Sequence, residues 1–214
     1  INRGKWLFCY RCGYKSSYQK FSANFNLSLV GSPPVVKNFS TSFEDYINNN
    51  TIKSDGSMYT KGASNYLKRR GIDSNLFERM NIKFGVNKLF GRVVFVDALN
   101  KYYVARAFFP ALTPKTLNPL ALAKPLMYAQ NIKYETLFIV EGCFDMVPFL
   151  ITGRLVVALL GKDISLMQLQ QLQKINPKNV VIALDSDAFA AAKKLSWVLV
   201  DKFPLTSVGI LLYN

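Results

Sequence analysis

Leu137-Phe138-Ile139-Val140-Glu141-Gly142-Cys143-Phe144-Asp145 is an apolar run that stops at an acid, and Val180-Val181-Ile182-Ala183-Leu184-Asp185-Ser186-Asp187 repeats the pattern further along the chain. Between them Leu155 to Leu160 forms a third run, ending at Gly161, and Val208 to Leu212 forms a fourth. Runs of this length read as buried strands. The segments joining them have helical character. Ser165 with Gln168 three residues on forms a capping box, and Leu166, Leu169, Leu172 and Ile175 follow at helical spacing. A second helix is expected from about Phe189 to Lys202, with Leu195, Val198 and Leu199 turned inward. Apolar strands alternating with helices specify an α/β fold with a buried parallel sheet over residues 135–214.

The placement of the acids gives this sheet a chemistry. Ligands of an open parallel sheet bind at the carboxyl ends of its strands. Glu141 follows one strand directly, and Asp185 and Asp187 follow another. Carboxylates converging on one point repel one another and call for a cation. An all-oxygen donor set with room for water suits Mg²⁺ or Mn²⁺. Such a cation activates a hydroxyl and steadies a leaving pyrophosphate. Each acid also precedes a helix, so helix capping is the alternative role for any one of them.

The rest of the chain differs in composition. Of its 27 Lys and Arg, residues 1–134 hold 20, with only 6 of the 13 Asp and Glu, so the whole net charge of +14 lies upstream of the sheet. This asymmetry points to a polyanionic partner, with a merely soluble basic surface as the alternative. No apolar run reaches the ~18 residues of a membrane span. No signal peptide opens the chain, and three cysteines without one argue against a disulfide scaffold. A cytoplasmic location is expected, or the host cytoplasm if a phage encodes the protein.

The chain falls into four segments. Residues 1–21 interleave aromatic and basic residues around Cys9-Tyr10-Arg11-Cys12. Residues 22–60, rich in Ser, Asn, Thr, Gly and Pro, read as a linker. Residues 61–134 read as a basic α+β subdomain. A helix there ends near Arg70 before Gly71, Ser74 caps a helix through Arg79, and strands from Arg92 to Val96 and Tyr102 to Phe109 form a hairpin. Residues 135–214 are the parallel sheet. Pro148 lies where the helix after Glu141 is expected, so that helix begins late or kinks.

The pattern from Phe138 to Leu195 resembles the TOPRIM domain shared by DnaG-type primases, type IA and type II topoisomerases and some nucleases and repair proteins, a resemblance that covers about residues 135–214 and implies a domain truncated at its C-terminal end. Ala63 to Ile72, the Gly91-Arg92 strand with its basic hairpin partner, Lys115-Thr116-Leu117-Asn118-Pro119 and the Leu126-Met127-Tyr128 lead-in are similar to the catalytic core of DnaG-type primases, particularly phage-like ones. The resemblance implies that Glu141, Asp185 and Asp187 bind catalytic Mg²⁺ (or Mn²⁺) and that Asp145 assists them. It implies that Arg92, Arg106, Lys115, Asn118 and Lys124 hold template phosphates and the incoming nucleotide. It also implies a zinc ribbon before the core, of which Cys9 and Cys12 would be the second half. With Ile1 as the first residue, a longer parent supplying the other Zn²⁺ ligands is expected. The expected partners are single-stranded DNA, ribonucleoside triphosphates and, downstream, a replicative helicase. Another TOPRIM enzyme, nuclease or topoisomerase-like, and a catalytically degenerate single-stranded-DNA-binding module are the alternatives.

Overall fold

The computed structural model describes residues 42–119, 122–128 and 135–211, together with the backbone of two short antiparallel strands, β1 (Trp6–Phe8) and β2 (Lys15–Ser17). The chain divides into two compact units, Ile1–Ser42 and Phe43–Asn214. Cys9 and Cys12 lie outside the described residues. The second unit holds the two larger sheets and all the described helices.

Residues 43–60, inside the stretch that composition marks as linker, contain regular structure. Helix α1 (Phe43–Asn50) leads into strand β3 (Thr51–Ile52), and helix α2 (Met58–Arg69) comes next. The Ser, Asn and Thr residues that resemble linker composition are local hydrogen-bonding groups. Asn50 donates to the Tyr46 carbonyl at 2.8 Å, and Thr51 donates to that of Ile47 at 2.8 Å. Ser57 caps α2, and the Thr60 hydroxyl donates to Asp55 at 2.9 Å. Polar side chains that satisfy helix ends favour order at those ends as much as they favour coil elsewhere.

Helix α3 (Ser74–Arg79) is capped by Asp73, whose carboxylate accepts from the Leu76 amide at 2.8 Å, rather than by Ser74. Strands β4 (Ile82–Gly85), β5 (Arg92–Asp97), β6 (Tyr102–Ala107) and β7 (Thr116–Leu117) join β3 in an antiparallel sheet of order β3-β4-β5-β6-β7. The β5–β6 hairpin expected from the sequence pairs Arg92 with Ala107 and Asp97 with Tyr102.

The second sheet is wholly parallel. It contains β8 (Thr136–Val140), β9 (Val156–Ala158), β10 (Asn179–Ile182) and β11 (Ser207–Ile210) in the order β11-β10-β8-β9. After β8 a 3-10 turn over Phe144–Met146 precedes the short helix α4 (Val147–Ile151). Pro148 occupies the first turn of α4, where the missing amide costs nothing, so the helix begins late rather than kinking. Helix α5 (Leu166–Ile175) carries the expected capping box in full, and α6 (Phe189–Lys202) precedes β11.

Three apolar clusters stack these parts. Val94, Val96, Tyr103 and Ala105 on one face of the antiparallel sheet pack against Ile47 of α1. The other face, with Phe84, Val93 and Phe95, meets Ala63 and Leu67 of α2, Leu76 of α3, and Phe138, Val140 and Ala158 of the parallel sheet. The far side of the parallel sheet, with Leu137, Ile139 and Ile182, packs on α5 and α6 through Leu172, Ile175, Leu195 and Leu199. Two expected core positions differ: Val198 is only half-buried and belongs to none of the three clusters, and Leu166 is turned outward. Leu166 is 73% exposed, and Gln168 is buried. The Gln168 amide donates to the carbonyls of Pro125 (3.0 Å) and Leu159 (2.7 Å), and its oxygen accepts from the Ser165 amide (2.8 Å). A fully satisfied amide is at no disadvantage in a core. No helix among the described residues is long and apolar enough to cross a membrane.

Candidate active site

The strand order makes β8 the middle of three neighbours, with β10 on one side and β9 on the other. All three run parallel, so their carboxyl ends open on one edge. Backbone bonds beyond the strands keep the ends in register: the Ala183 amide donates to the Ile139 carbonyl at 2.8 Å, and that of Leu159 to Val140 at 2.9 Å. Glu141 leaves β8, Asp185 and Asp187 leave β10, and Gly161 and Lys162 leave β9 at this edge.

Glu141 is half-buried, and its Oε2 is enclosed without a hydrogen-bond partner. Burial pushes its carboxyl above the ordinary range; Lys162 draws it back, and Asp185, Asp145 and Asp187 push it up further. Asp145 is also raised by burial, against the pull of the Gly142 amide, which donates to its Oδ2 at 2.8 Å. Asp185 raises it too, while Arg70 and Arg106 lower it. These four acids therefore share one electrostatic environment. The capping alternative is not realised: the 3-10 turns after Glu141 and at Ser186–Ala188, and helices α4 and α6, all start without a side-chain cap.

Lys162 is the group that strand-by-strand reading missed. Its ammonium donates to Asp187 Oδ2 at 2.9 Å, and that bond, with Asp187, Glu141 and Asp185 nearby, raises its pKa. The signal was a Lys directly after a strand-ending Gly, but only the strand order sets it opposite the acids. The preceding residue but one, Leu160, has a left-handed backbone (φ 60°), and its carbonyl accepts from the Lys124 ammonium at 2.5 Å. Lys124 thus reaches this edge as a clamp on the turn that carries Lys162.

The other basic residues fall elsewhere on the antiparallel sheet. Arg92 is only 4% exposed. Its Nη1 donates to the Phe90 carbonyl (3.2 Å) and its Nη2 to that of Pro114 (2.9 Å). Through these two nitrogens the guanidinium braces the 109–115 loop, while its Nε is buried without a partner. Arg106 donates to the Thr116 hydroxyl at 2.8 Å and remains close enough to act on Asp145. Lys115 is exposed, and half-buried Asn118 keeps a buried Oδ1 without a partner. Cys143 is a core residue whose thiol burial pushes up, which separates it from any zinc role.

Among the described residues, no group of three or more His, Cys, Asp or Glu side chains is disposed to hold one metal ion. The donor chemistry nevertheless fits a hard divalent cation: oxygen-only ligands, an enclosed and unpartnered Glu141 oxygen, and mutual repulsion among the acids.

Comparison with known proteins agrees with this architecture. Residues 138–196 match the Toprim-like family. No curated protein is significantly similar in sequence. Among solved structures, the zinc-binding and RNA polymerase domains of the Aquifex aeolicus primase superpose with a TM-score of 0.59 at 18% identity, over 80% of this chain and 53% of that one. A DnaG catalytic core superposes with a TM-score of 0.56 at 18% identity, over 74% of this chain and 66% of that one. The chain spans about half the length of the Aquifex structure it matches. Residues 138–196 are thus similar to the Toprim-like family, and the fold of the chain is similar to that of the two primase structures.

Proposed function

We propose that the chain is the catalytic core of a primase that joins ribonucleotides on single-stranded DNA in a Mg²⁺-dependent reaction. The observation that carries this reading is the enclosed, unpartnered Oε2 of Glu141, set among Asp145, Asp185, Asp187 and Lys162 at the open edge of the parallel sheet. Glu141, Asp185 and Asp187 would hold the cation. When bound, it would lower the pKa of the primer 3′-hydroxyl and offset charge on the leaving pyrophosphate. Asp145, fixed by the Gly142 amide, keeps the Glu141 turn in shape. Lys162, held between the strand ends by Asp187, would offer a positive charge to an arriving triphosphate. Lys115, Arg106 and Asn118 would supply phosphate contacts and an oxygen acceptor for a sugar hydroxyl. Catalysis in such a site is mostly positioning and charge neutralisation.

The test is synthesis of short RNA from ribonucleoside triphosphates on single-stranded DNA with Mg²⁺. Wild-type protein makes product, and Glu141→Gln loses it while still binding DNA. Cutting of labelled DNA without ribonucleotides would support a nuclease instead. DNA binding unaltered by Asp185→Asn and Asp187→Asn, with no product from wild type, would support a binding module.

A further inference from the structure

Helix α2 and the residue after it present Tyr59, Tyr66 and Arg70 at helical spacing along one side, and a row of phenylalanines lies against them. Tyr59 stacks on Phe90 (centroids 5.0 Å apart, planes 14°) and touches Phe108 at 5.6 Å. Phe108 contacts Phe109 at 4.3 Å and Tyr66 at 6.3 Å. Tyr66 meets Phe144 edge-on at 5.9 Å. The Arg70 guanidinium lies over both Tyr66 (5.5 Å) and Phe144 (5.1 Å). Phe144 is the residue before Asp145, so the row ends at the acidic edge.

The outer end of this row is not core. Phe90 is 55% exposed and Phe109 44%, and their rings lie 6.4 Å apart. They are also held in place. The Tyr59 hydroxyl accepts from the Gly91 amide at 3.0 Å and donates to the Gly85 carbonyl, which fixes the ring on which Phe90 stacks. Gly91 itself has φ 75°, and a Cβ there would lie 3.0 Å from the Phe109 ring and 2.8 Å from Leu112. Pre-set aromatic faces bind with little ordering cost. Arg70 lies over Phe144, Arg106 acts on Asp145, and the Lys115 carbonyl accepts from the Ala107 amide beside Phe108, cations that match a phosphate backbone running alongside. Aromatic rings interleaved with cations are the way single strands are held without regard to sequence.

We propose that Phe90 and Phe109 are the mouth of an aromatic track on which bases of a single-stranded nucleic acid stack as it is led to the Glu141–Asp145 edge. The proposal rests on the primase reading for the role of the strand, but its binding chemistry stands separately.

The test compares binding of an oligothymidylate with binding of an abasic oligomer of equal length and charge. Wild-type protein prefers the thymidylate by about tenfold, the size expected for stacked bases. Phe90→Leu/Phe109→Leu, which keeps apolar bulk but removes the rings, loses that preference and keeps the salt dependence. Phe90→Tyr/Phe109→Tyr retains it. If the double Leu variant does not fold, judged by its thermal transition, Phe90→Leu alone loses part of the preference. No preference in wild type, a preference that survives the Leu variants, or a change in self-association alone would overturn the track. Primer synthesis by wild type is measured in parallel. Absent synthesis with an intact, ring-dependent preference removes the primase reading and leaves the track standing. Synthesis with a ring-independent preference does the reverse.

Discussion

The Lys162 ammonium lies 2.9 Å from an Asp187 carboxylate oxygen, linking the ends of β9 and β10 across the strand between them. One positive charge therefore occupies the neighbourhood that a divalent cation would enter. Lys162→Met removes that competitor. We expect Mn²⁺ to bind this variant about two- to fivefold more tightly, the range set by exposed ion pairs. Because Lys162 lowers the Glu141 pKa, Glu141 in the variant titrates at higher pH than in wild type. Calorimetric titration with Mn²⁺ and carboxyl NMR check both effects, and weaker Mn²⁺ binding would show that Lys162 assists the cation.

Burial holds Glu141 and Asp145 above their ordinary carboxyl values of 4.5 and 3.8. The folded chain thus keeps these protons to higher pH than the unfolded chain does. Below the ordinary values neither state is charged and nothing is lost. As pH rises through the raised values, stability falls, and above them the loss is complete. Glu141→Gln is expected to raise Tm at neutral pH in the absence of metal, with the gain vanishing below about pH 4. Added Mg²⁺ stabilises wild type more than the variant. Thermal scans over pH, with and without Mg²⁺, measure each part.

Arg92 gives two donors to carbonyls inside the protein. Its replacement by Met leaves the Phe90 and Pro114 carbonyls without a partner. A loss of about 2–4 kcal/mol is expected from charge-assisted bonds of this kind. That is several degrees in Tm for a domain of this size. The salt dependence of DNA binding stays unchanged in Arg92→Met. In Lys115→Ala, the logarithmic salt slope falls by about one. Fluorescence anisotropy across a salt series separates the brace from the phosphate contact.

Gln168 joins α5 to the end of β9 and to the 122–128 segment. Gln168→Leu buries two carbonyls without donors and costs about 2–3 kcal/mol. Ser165→Ala removes only the cap and costs about 1 kcal/mol. Urea unfolding of the two variants should rank them in that order. An equal effect would mean that the buried amide contributes through the capping box alone.

The acids were legible because an apolar strand interrupted by Glu141, or by Asp185 and Asp187, is a local pattern with a direct topological meaning. The order of strands is not local, and so Lys162 went unread although its neighbours Leu160 and Gly161 did not. Arg92 misled for a related reason. A charge within an apolar strand is costly unless satisfied, and the sequence does not show that two of the Arg92 nitrogens reach the protein's own carbonyls while Nε stays buried without a partner. Residues 43–60 misled because Asn50, Thr51, Ser57 and Thr60 cap and staple helices with the same side chains that make linkers soluble. Gln168 replaced Leu166 in the core because its amide found three partners, one of them, Pro125, distant in sequence.

At the tip of the β5–β6 hairpin, buried Asp97 accepts from the Asn100 amide and side chain and, at 2.7 Å, from the Tyr128 amide. Asn100 in turn accepts from Gln171 of α5 at 2.8 Å. Hairpin tips are ordinarily where a chain tolerates added residues. Here the tip is a rivet between the two sheets, so lengthening the 98–101 turn by even one residue would pull the 122–128 segment away from β9 and release the edge that carries the acids.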